Sequence, residues 1–354
     1  MRIAQVAPLV FSVPPKLYGG TERVVSYLTE ELVRQGQEVT LFASGDSKTG
    51  AQLVAACPMA LWPAGHYEDG LPYYVRMMEL VFEDVSRFDV IHFHTESIQL
   101  QWLRCYPCPN VTTLHLPVNA ARLKPLVDEY NPPWVSISES QRLPIPDANW
   151  QATIYHGLPR DLHTFRNKSG DYLAFLGRAH PEKRLDRAIR VACRAKMKLK
   201  VAAEVNPEDQ YFKQVIAPLL VDARDWVEFL GEVGGCEKDE FLGNAHALLF
   251  PIDWEEPFGL VMIESLACGT PVIAWPKGSV PEVIADGVTG FIVESVQEAV
   301  QAVDRVFGLS RQTCRTSFEE RFDAAIMTKN YLEVYKRLAK FQTRTPNGAG
   351  GAEP

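Results

Sequence analysis

The sequence has no uninterrupted apolar run near the roughly 18 residues that a membrane span requires. No signal peptide is apparent either, because the short apolar start gives way to Pro14 and Pro15. The seven cysteines are an odd number scattered over both halves, which is typical of reduced thiols in the cytoplasm. These absences predict a cytoplasmic protein, and they leave open a peripheral association with the inner face of a membrane.

Metal-binding and nucleic-acid-binding patterns are also absent. Cys105 and Cys108 form a single CxxC, and a zinc site would need a second pair, so no metal site is predicted. The 36 Lys and Arg residues are outnumbered by 44 Asp and Glu, which gives a net charge of −8. Because phosphate backbones require clustered cations, this balance argues against nucleic acid as the main partner.

Short apolar strands alternate with amphipathic helices along the whole chain, a pattern that predicts parallel sheets built from βαβ units. The alternation pauses in a polar, turn-rich stretch near residue 160 and then begins again. We therefore predict an α/β protein with two doubly wound Rossmann-like domains, residues 1–160 and 161–319. A helix at about 320–341 is expected to pack back on the first domain, and residues 342–354 read as a disordered tail. Ligands bind beyond the carboxyl ends of such strands, so the domains are expected to face a central cleft.

Two glutamates flank the start of a predicted helix in the second half. Glu256 lies in the loop before this helix, and Glu264 lies about two turns further along, roughly 80° away around the helix axis. The backbone N–H groups of Phe258, Gly259 and Leu260 at the helix start would form an anion site. A sugar nucleotide fits this arrangement, because its diphosphate can bind the amides while its hydroxyls donate to the carboxylates. The structural alternative is a favourable helix-dipole position for Glu256 and a solvated one for Glu264.

Cations follow the first strand of the second half, where Arg178 and Lys183 come directly after an apolar segment. An arginine fork and a lysine point charge suit a departing diphosphate, although basic loop residues are more often simply solvated. In the first half, His94 and His115 end predicted strands, and His92 lies on the same face of its strand as His94. Contact with a sugar hydroxyl is the preferred interpretation for His115, and a structural role remains the alternative.

These residues make the chain resemble the family 4 retaining glycosyltransferases of the GT-B fold, and within them the avilamycin-type subgroup. The resemblance extends from residue 1 to about residue 340. Its most specific element is the E-x7-E motif from Glu256 to Glu264. The supporting segments are YGGTERV, FDVIHFH, TTLHLP, VSISESQR, ATIYHG, FLGRAHPEKR and KGSVPEVIADGVTGFIV.

The resemblance implies a role for each residue that would contact the nucleotide. Arg178 and Lys183 would hold the donor diphosphate and stabilise it as a leaving group. Glu264 would bind the ribose hydroxyls, and the turn that ends at Val233 would meet the base.

The resemblance also assigns the residues around the transferred sugar. Glu256 would hold that sugar together with the backbone amides of Phe258, Gly259 and Leu260. His115 would contact the same sugar from the other domain.

Gly19 and Gly20 precede a predicted helix, and the resemblance places them near the phosphates and the acceptor. From the residues alone, such a pair is as often only a turn, and it is not a GxGxxG dinucleotide fingerprint. Two positions depart from the family pattern. Arg184 stands where the family more often has glycine, and Leu116 and Pro117 stand where it often has an acidic residue.

The family is usually metal-independent, so the resemblance implies no cofactor and no metal. Its retaining chemistry would proceed by front-face attack, in which the leaving phosphate takes the acceptor proton. The expected partners are a nucleoside-diphosphate sugar, with UDP-glucose preferred and other UDP- or GDP-hexoses open, and a glycan, lipid-linked or small-molecule acceptor. Polysaccharide biosynthesis is the expected setting.

Other classes of protein remain as alternatives. A glycoside hydrolase could use Glu256 and Glu264 as its acid and nucleophile, since such enzymes have paired carboxylates. A sugar-nucleotide epimerase of the same fold would form product without any acceptor. A non-catalytic sugar-nucleotide sensor would bind the donor and leave it intact.

Overall fold

Residues 1–16, 18–205 and 209–342 are described by the computed structural model, with side chains described up to residue 340. The tail predicted at 342–354 therefore lies, beyond residue 342, outside the described residues. The chain divides into two units. The first contains Met1–Ser136, Pro144–Ile154 and the described residues from Met327 onward, and the second contains Ile137–Leu143 and Tyr155–Ile326.

The first unit is built on a seven-stranded sheet in which every described strand pair is parallel. The strands are β1 (Arg2–Val6), β2 (Glu38–Ser44), β3 (Gln52–Cys57), β4 (Val90–Phe93), β5 (Asn110–Thr113), β6 (Trp134–Ser136) and β7 (Trp150–Thr153). Their order across the sheet is β3-β2-β1-β4-β5-β6-β7. The helices are α1 (Gly20–Arg34), α2 (Leu71–Phe82), α3 (Leu100–Cys105) and α4 (Ala120–Tyr130). A 3₁₀ turn, Val85–Arg87, precedes β4.

The second unit has a six-stranded parallel sheet in the order β10-β9-β8-β11-β12-β13. Its strands are β8 (Tyr172–Leu176), β9 (Lys198–Ala202), β10 (Val227–Gly231), β11 (Ala247–Phe250), β12 (Val272–Ala274) and β13 (Gly290–Ile292). Its helices are α5 (Leu185–Ala195), α6 (Ala217–Asp222), α7 (Gly235–Gly243), α8 (Leu260–Ala267), α9 (Val280–Val283), α10 (Val296–Arg305) and α11 (Arg311–Arg321). Shorter pieces are the π-helical stretch Phe212–Ile216 and the 3₁₀ turns Ser140–Arg142, Pro181–Lys183 and Val306–Gly308.

Helix α12 (Ala324–Gln342) begins in the second unit, and from Met327 it belongs to the first. Within the first unit, the Tyr331 hydroxyl lies 2.9 Å from Thr113 Oγ1, and Gln5 Nε2 donates to the Tyr335 hydroxyl at 3.0 Å. Both tyrosines are fully buried, so α12 covers part of the sheet of the first unit.

Both sheets have the apolar strands expected of parallel sheets that are covered on two faces. Strands β4, β11 and β12 are buried at every position. This burial explains why β11 and β12 read as short, continuous apolar runs in the sequence, whereas β4 includes His92. The prediction of two parallel, Rossmann-like α/β sheets is thus confirmed. Among the described helices, none combines the length and the hydropathy needed to cross a lipid bilayer.

Candidate active site

The strand order reverses in each sheet at one place, which is where doubly wound folds bind ligands. In the second unit this switch point lies between the neighbouring strands β8 and β11. Lys183 follows β8 and Glu256 follows β11, so both extend from the carboxyl edge of the sheet at the switch point.

Lys183 and Glu256 form an ion pair at this edge. The Lys183 ammonium donates to Glu256 Oε2, and the same oxygen accepts a hydrogen bond from Trp254 Nε1 at 2.9 Å. The ammonium also lies 4.7 Å from the centroid of the Trp254 ring, within cation–π range. Glu256 is only 9% exposed. The lysine and the glutamate are therefore held together by a partly buried contact, although they are far apart in sequence.

The start of α8 lies directly after Glu256. Gly259 precedes the helix with φ +78° and ψ +69°, in the left-handed region that favours glycine. A Cβ at this position would lie 2.8 Å from the terminal methyl of Met262, so a side chain would strain the turn in two ways. The carbonyl of the buried residue Phe258 accepts from Ser279 Oγ at 2.7 Å. These constraints fix the backbone at Phe258, Gly259 and Leu260, whose amides begin the helix.

Glu264 lies inside α8 and has its own lysine partner. Lys238 Nζ, from α7, donates to Glu264 Oε1 at 2.5 Å. Glu264 is 4% exposed, and most of the Lys238 side chain is buried as well. The site therefore contains two lysine–glutamate pairs. Sequence reasoning missed Lys238, and the available signal was its position in the helix that follows β10.

Arg178 and Val233 lie at the same edge of the second sheet. Arg178 follows β8, its guanidinium is 3.9 Å from Glu182 Oε2, and its side chain is 41% exposed. Val233 lies between β10 and α7, after Gly231, whose φ is +78°. Arg178 is thus more open to solvent than Lys183, and Val233 extends the edge toward its outer strand.

The remaining predicted residues belong to the first unit. Gly19 caps α1 with φ +126°, and a Cβ there would lie 2.9 Å from the Cβ of Pro15. Gly20 is the first residue of the helix. His115 follows β5. The structure therefore brings Lys183 and Glu256 into contact in the second unit, and it places these three residues in the first.

His115 belongs to a chain of buried hydrogen bonds in the first unit. His115 Nε2 lies 2.8 Å from His94 Nδ1, and His94 Nε2 lies 2.8 Å from Gln5 Oε1. Since Gln5 Oε1 can only accept, His94 carries its proton on Nε2 and accepts at Nδ1. His115 must then donate from Nε2, which leaves a lone pair on Nδ1. The chain continues from Gln5 to Tyr335, whose hydroxyl lies 2.7 Å from His92 Nδ1.

We expect His115 to make the first unit less stable as the pH falls. Burial lowers the pKa of His115 from 6.5 to about 3. Between these values the unfolded chain binds a proton that the folded chain does not. The contribution of His115 to the free energy of unfolding is therefore complete above about pH 6.5 and is lost as the pH falls toward 3.

Melting temperatures of the wild type and His115→Gln, measured from about pH 7 down to 4.5, would check this. The glutamine does not titrate, and its amide can still donate to His94. The variant should melt at a lower temperature than the wild type near neutral pH. The difference between the two melting temperatures should become smaller on acidification. The variant has to be compared with the wild type because Glu22 changes the stability with pH in the opposite direction. Burial raises the pKa of Glu22 from 4.5 to about 7, so its contribution to the free energy of unfolding is lost as the pH rises through 7. A gap that does not change with pH would contradict the prediction.

Three potential metal ligands lie together beside the Lys238–Glu264 pair in the second unit. The ligand atoms of His163, Asp239 and Cys268 all lie within 4.8 Å of one another. Burial raises the pKa of the Cys268 thiol to about 12, whereas a metal ligand must be a thiolate. Asp239 also accepts a hydrogen bond from the Arg166 guanidinium at 3.0 Å. A protonated thiol and a carboxylate already paired with a cation fit a metal ion poorly.

Two family profiles match this chain, one in each unit. The family profile described as "Glycosyltransferase Family 4" matches residues 18–143, and the profile "Glycosyl transferases group 1" matches residues 163–320. A D-inositol 3-phosphate glycosyltransferase of Frankia alni is 27% identical over 83% of this chain and 86% of its own length.

Solved structures share the fold. The crystal structure of AviGT4, a glycosyltransferase involved in avilamycin A biosynthesis, has a TM-score of 0.71 and 22% identity, with 96% of this chain and 98% of that chain covered. Anabaena HepE in complex with UDP and glucose has a TM-score of 0.72 and 17% identity, with 95% and 100% covered. The two profiles together span most of both units and show that the chain belongs to the family 4 glycosyltransferases, and the solved structures show that it has the GT-B fold.

Proposed function

We propose that the second unit binds a nucleoside-diphosphate sugar and that the enzyme transfers the sugar, a hexose, with retention of configuration and without a metal ion. The observation that carries this proposal is the pair of lysine–glutamate contacts, Lys183–Glu256 and Lys238–Glu264, on either side of the α8 start. Cations and helix amides suit a diphosphate, and carboxylates suit the hydroxyls of the two sugars that flank it.

The pairs keep the charged groups neutralised until the donor binds. A lysine ammonium has three N–H groups, so Lys183 can donate to a phosphate oxygen while it remains in contact with Glu256. Glu256 then accepts from a hydroxyl of the transferred sugar, and Glu264 accepts from the ribose. The same lysine thus links the reacting sugar to its leaving group.

Catalysis would consist mainly of stabilising the leaving diphosphate. As the bond from the anomeric carbon to the phosphate oxygen breaks, negative charge develops on that oxygen. Lys183, Arg178 and the amides at the start of α8 would stabilise this charge, the task that a divalent cation performs in other enzymes. The acceptor oxygen attacks from the same face, and its proton passes to the leaving phosphate, so no enzymic nucleophile is needed.

UDP-glucose is the donor that we propose to test first, because a structural neighbour is described in complex with UDP and glucose. For the acceptor we propose a glycan, a lipid-linked sugar or a small polyol, in polysaccharide assembly in the cytoplasm or at the inner face of its membrane. The name of the Frankia relative makes inositol 3-phosphate an obvious compound to include.

The two enzyme alternatives make different demands on the glutamates. A glycoside hydrolase needs one carboxyl group that keeps its proton near neutral pH, so that it can act as the acid. Glu256 and Glu264 each contact a lysine ammonium instead, which is the partner of an ionised carboxylate. An epimerase would convert the nucleotide sugar with no acceptor present, which a product analysis detects directly.

Titration calorimetry with UDP, GDP and ADP, followed by turnover of the matching glucose donors, tests the proposal. We expect one diphosphate to bind in preference to the other two, and we expect slow release of sugar from its donor that accelerates with an acceptor. EDTA should leave this turnover unchanged. The proposal would be wrong if no diphosphate binds, if a glycoside without a nucleotide is cleaved, or if an epimer forms without acceptor. Activity lost in EDTA and restored only by Mg²⁺ or Mn²⁺ would refute the metal-free mechanism.

A further inference from the structure

Arg184 has a backbone conformation that non-glycine residues rarely adopt. It lies between the turn Pro181–Lys183 and α5, with φ +53° and ψ +49°. This left-handed region is unfavourable for a residue with a Cβ and favours glycine. An arginine at this position therefore strains the backbone, and contacts of its side chain can offset that strain.

The Arg184 side chain binds two carboxylates. Its Nε and Nη2 atoms donate to the two oxygens of Asp186 at 2.9 and 3.1 Å, and its Nη1 donates to Asp253 Oδ2 at 2.6 Å. Asp186 is buried, and Asp253 also accepts from Arg187 at 3.1 Å. A planar guanidinium can satisfy both aspartates at once, whereas a lysine ammonium lacks this fork geometry.

These contacts join the two chain segments that carry the Lys183–Glu256 pair. Arg184 directly follows Lys183 after β8, and Asp253 lies shortly before Glu256 after β11. A backbone hydrogen bond from Asp253 N to Glu182 O, 2.8 Å long, ties the same segments a second time. The distance between the lysine and the glutamate therefore depends on how firmly these two segments are held.

We propose that Arg184 is a positioning residue that, by binding Asp253, holds the Lys183 turn against the Glu256 loop. The functional half of this inference rests on the donor site proposed above, in which Lys183 and Glu256 act on adjacent parts of one donor. The structural half is independent of any substrate. The guanidinium N–H groups already bind the carboxylates of Asp186 and Asp253. The guanidinium therefore affects the reaction by holding the two loops in place.

Variants of both partners test this clamp: Arg184→Gly, Arg184→Lys, Asp253→Asn and the double variant. Lys196→Gly is a matched control, because Lys196 has φ +53° and ψ +38° at the opposite end of α5 and lies outside the two loops. Each glycine variant relieves the same kind of backbone strain, but only Arg184→Gly removes the clamp. The readouts are steady-state kinetics with the donor identified by calorimetry, and hydrogen exchange of the backbone amides in residues 178–184 and 251–257.

We expect Arg184→Gly and Asp253→Asn each to lower kcat by about tenfold to a hundredfold, the range that a misplaced catalytic group produces. The kcat of the double variant should be no lower than that of the single variants. The kcat of Arg184→Lys should lie between those of the wild type and Arg184→Gly, and Lys196→Gly should keep the wild-type kcat. Exchange at Asp253 should be about tenfold faster in Arg184→Gly and unchanged in Lys196→Gly.

A wild-type kcat in Arg184→Gly, or additive losses in the double variant, would overturn the positioning role. Unchanged exchange at Asp253 would overturn the clamp itself. If no nucleotide sugar is turned over even by the wild type, the proposed function fails, and the exchange measurement still decides whether the clamp exists.

Discussion

Replacement of Lys183 by alanine should lower turnover by about 10²- to 10³-fold, or about 2.7–4 kcal/mol in the activation barrier, the range observed when one preorganised charge stabiliser is removed. The reason is that the ammonium would act where charge develops as the diphosphate leaves. Its position at the β8–β11 switch point is fixed by Glu256 and by the ring of Trp254. A donor that still binds but reacts slowly is the expected phenotype.

The control for this experiment is Lys198→Ala. Lys198 is an exposed lysine at the amino end of β9, so the same charge is removed at the opposite edge of the same sheet. Its turnover should match the wild type. Lys183→Ala also leaves Glu256 with one hydrogen-bond donor fewer, so thermal unfolding of both variants must be measured alongside the kinetics. Near-normal turnover in Lys183→Ala, or an equal loss in Lys198→Ala, would refute the leaving-group role.

Arg178→Ala should act in the same direction as Lys183→Ala. Its side chain is 41% exposed, so its removal should disturb the fold little. A loss of kcat without a loss of thermal stability would distinguish a role in the reaction from a structural one. A wild-type kcat would remove Arg178 from the proposed mechanism.

The sheets could be predicted from the sequence because parallel strands buried on both faces are short apolar runs, as β11 and β12 are. The two glutamates could also be placed, since the apolar periodicity of α8 indicates where that helix lies. Such local patterns are visible in one stretch of sequence. The functional roles assigned to these residues remain predictions.

Partners that are distant in sequence could not be predicted. Lys238 binds Glu264 across 26 positions, and Gln5 meets Tyr335 across 330. No periodicity encodes such pairs, because they depend on which loops the sheet order brings together. The unusual Arg184 was noticeable from the sequence, but its explanation required a backbone angle and two aspartates, one of which lies 69 positions away.

The second large effect is expected when each of the two glutamates is replaced, because the two variants should lose different properties. Glu264→Gln is expected to weaken binding of both the sugar nucleotide and the free nucleoside diphosphate, because the ribose that we assign to it is present in both. The substitution also leaves Lys238 without its carboxylate. Lys238→Met is therefore the companion variant, since it removes the cation and keeps the ribose ligand. If Glu264 acts on the ribose, Lys238→Met should retain more diphosphate affinity than Glu264→Gln.

Glu256→Gln should instead leave diphosphate binding close to the wild type and chiefly reduce kcat. The sugar that we assign to Glu256 changes its geometry and charge during transfer, and interactions that strengthen in the transition state affect kcat rather than ground-state binding. The glutamine can still accept from Trp254 Nε1, so the loop keeps one of its two contacts. Calorimetry with the preferred diphosphate and steady-state kinetics on both variants separate the two roles. If Glu256→Gln loses nucleotide affinity while Glu264→Gln retains it, the assignment of the two acids is reversed.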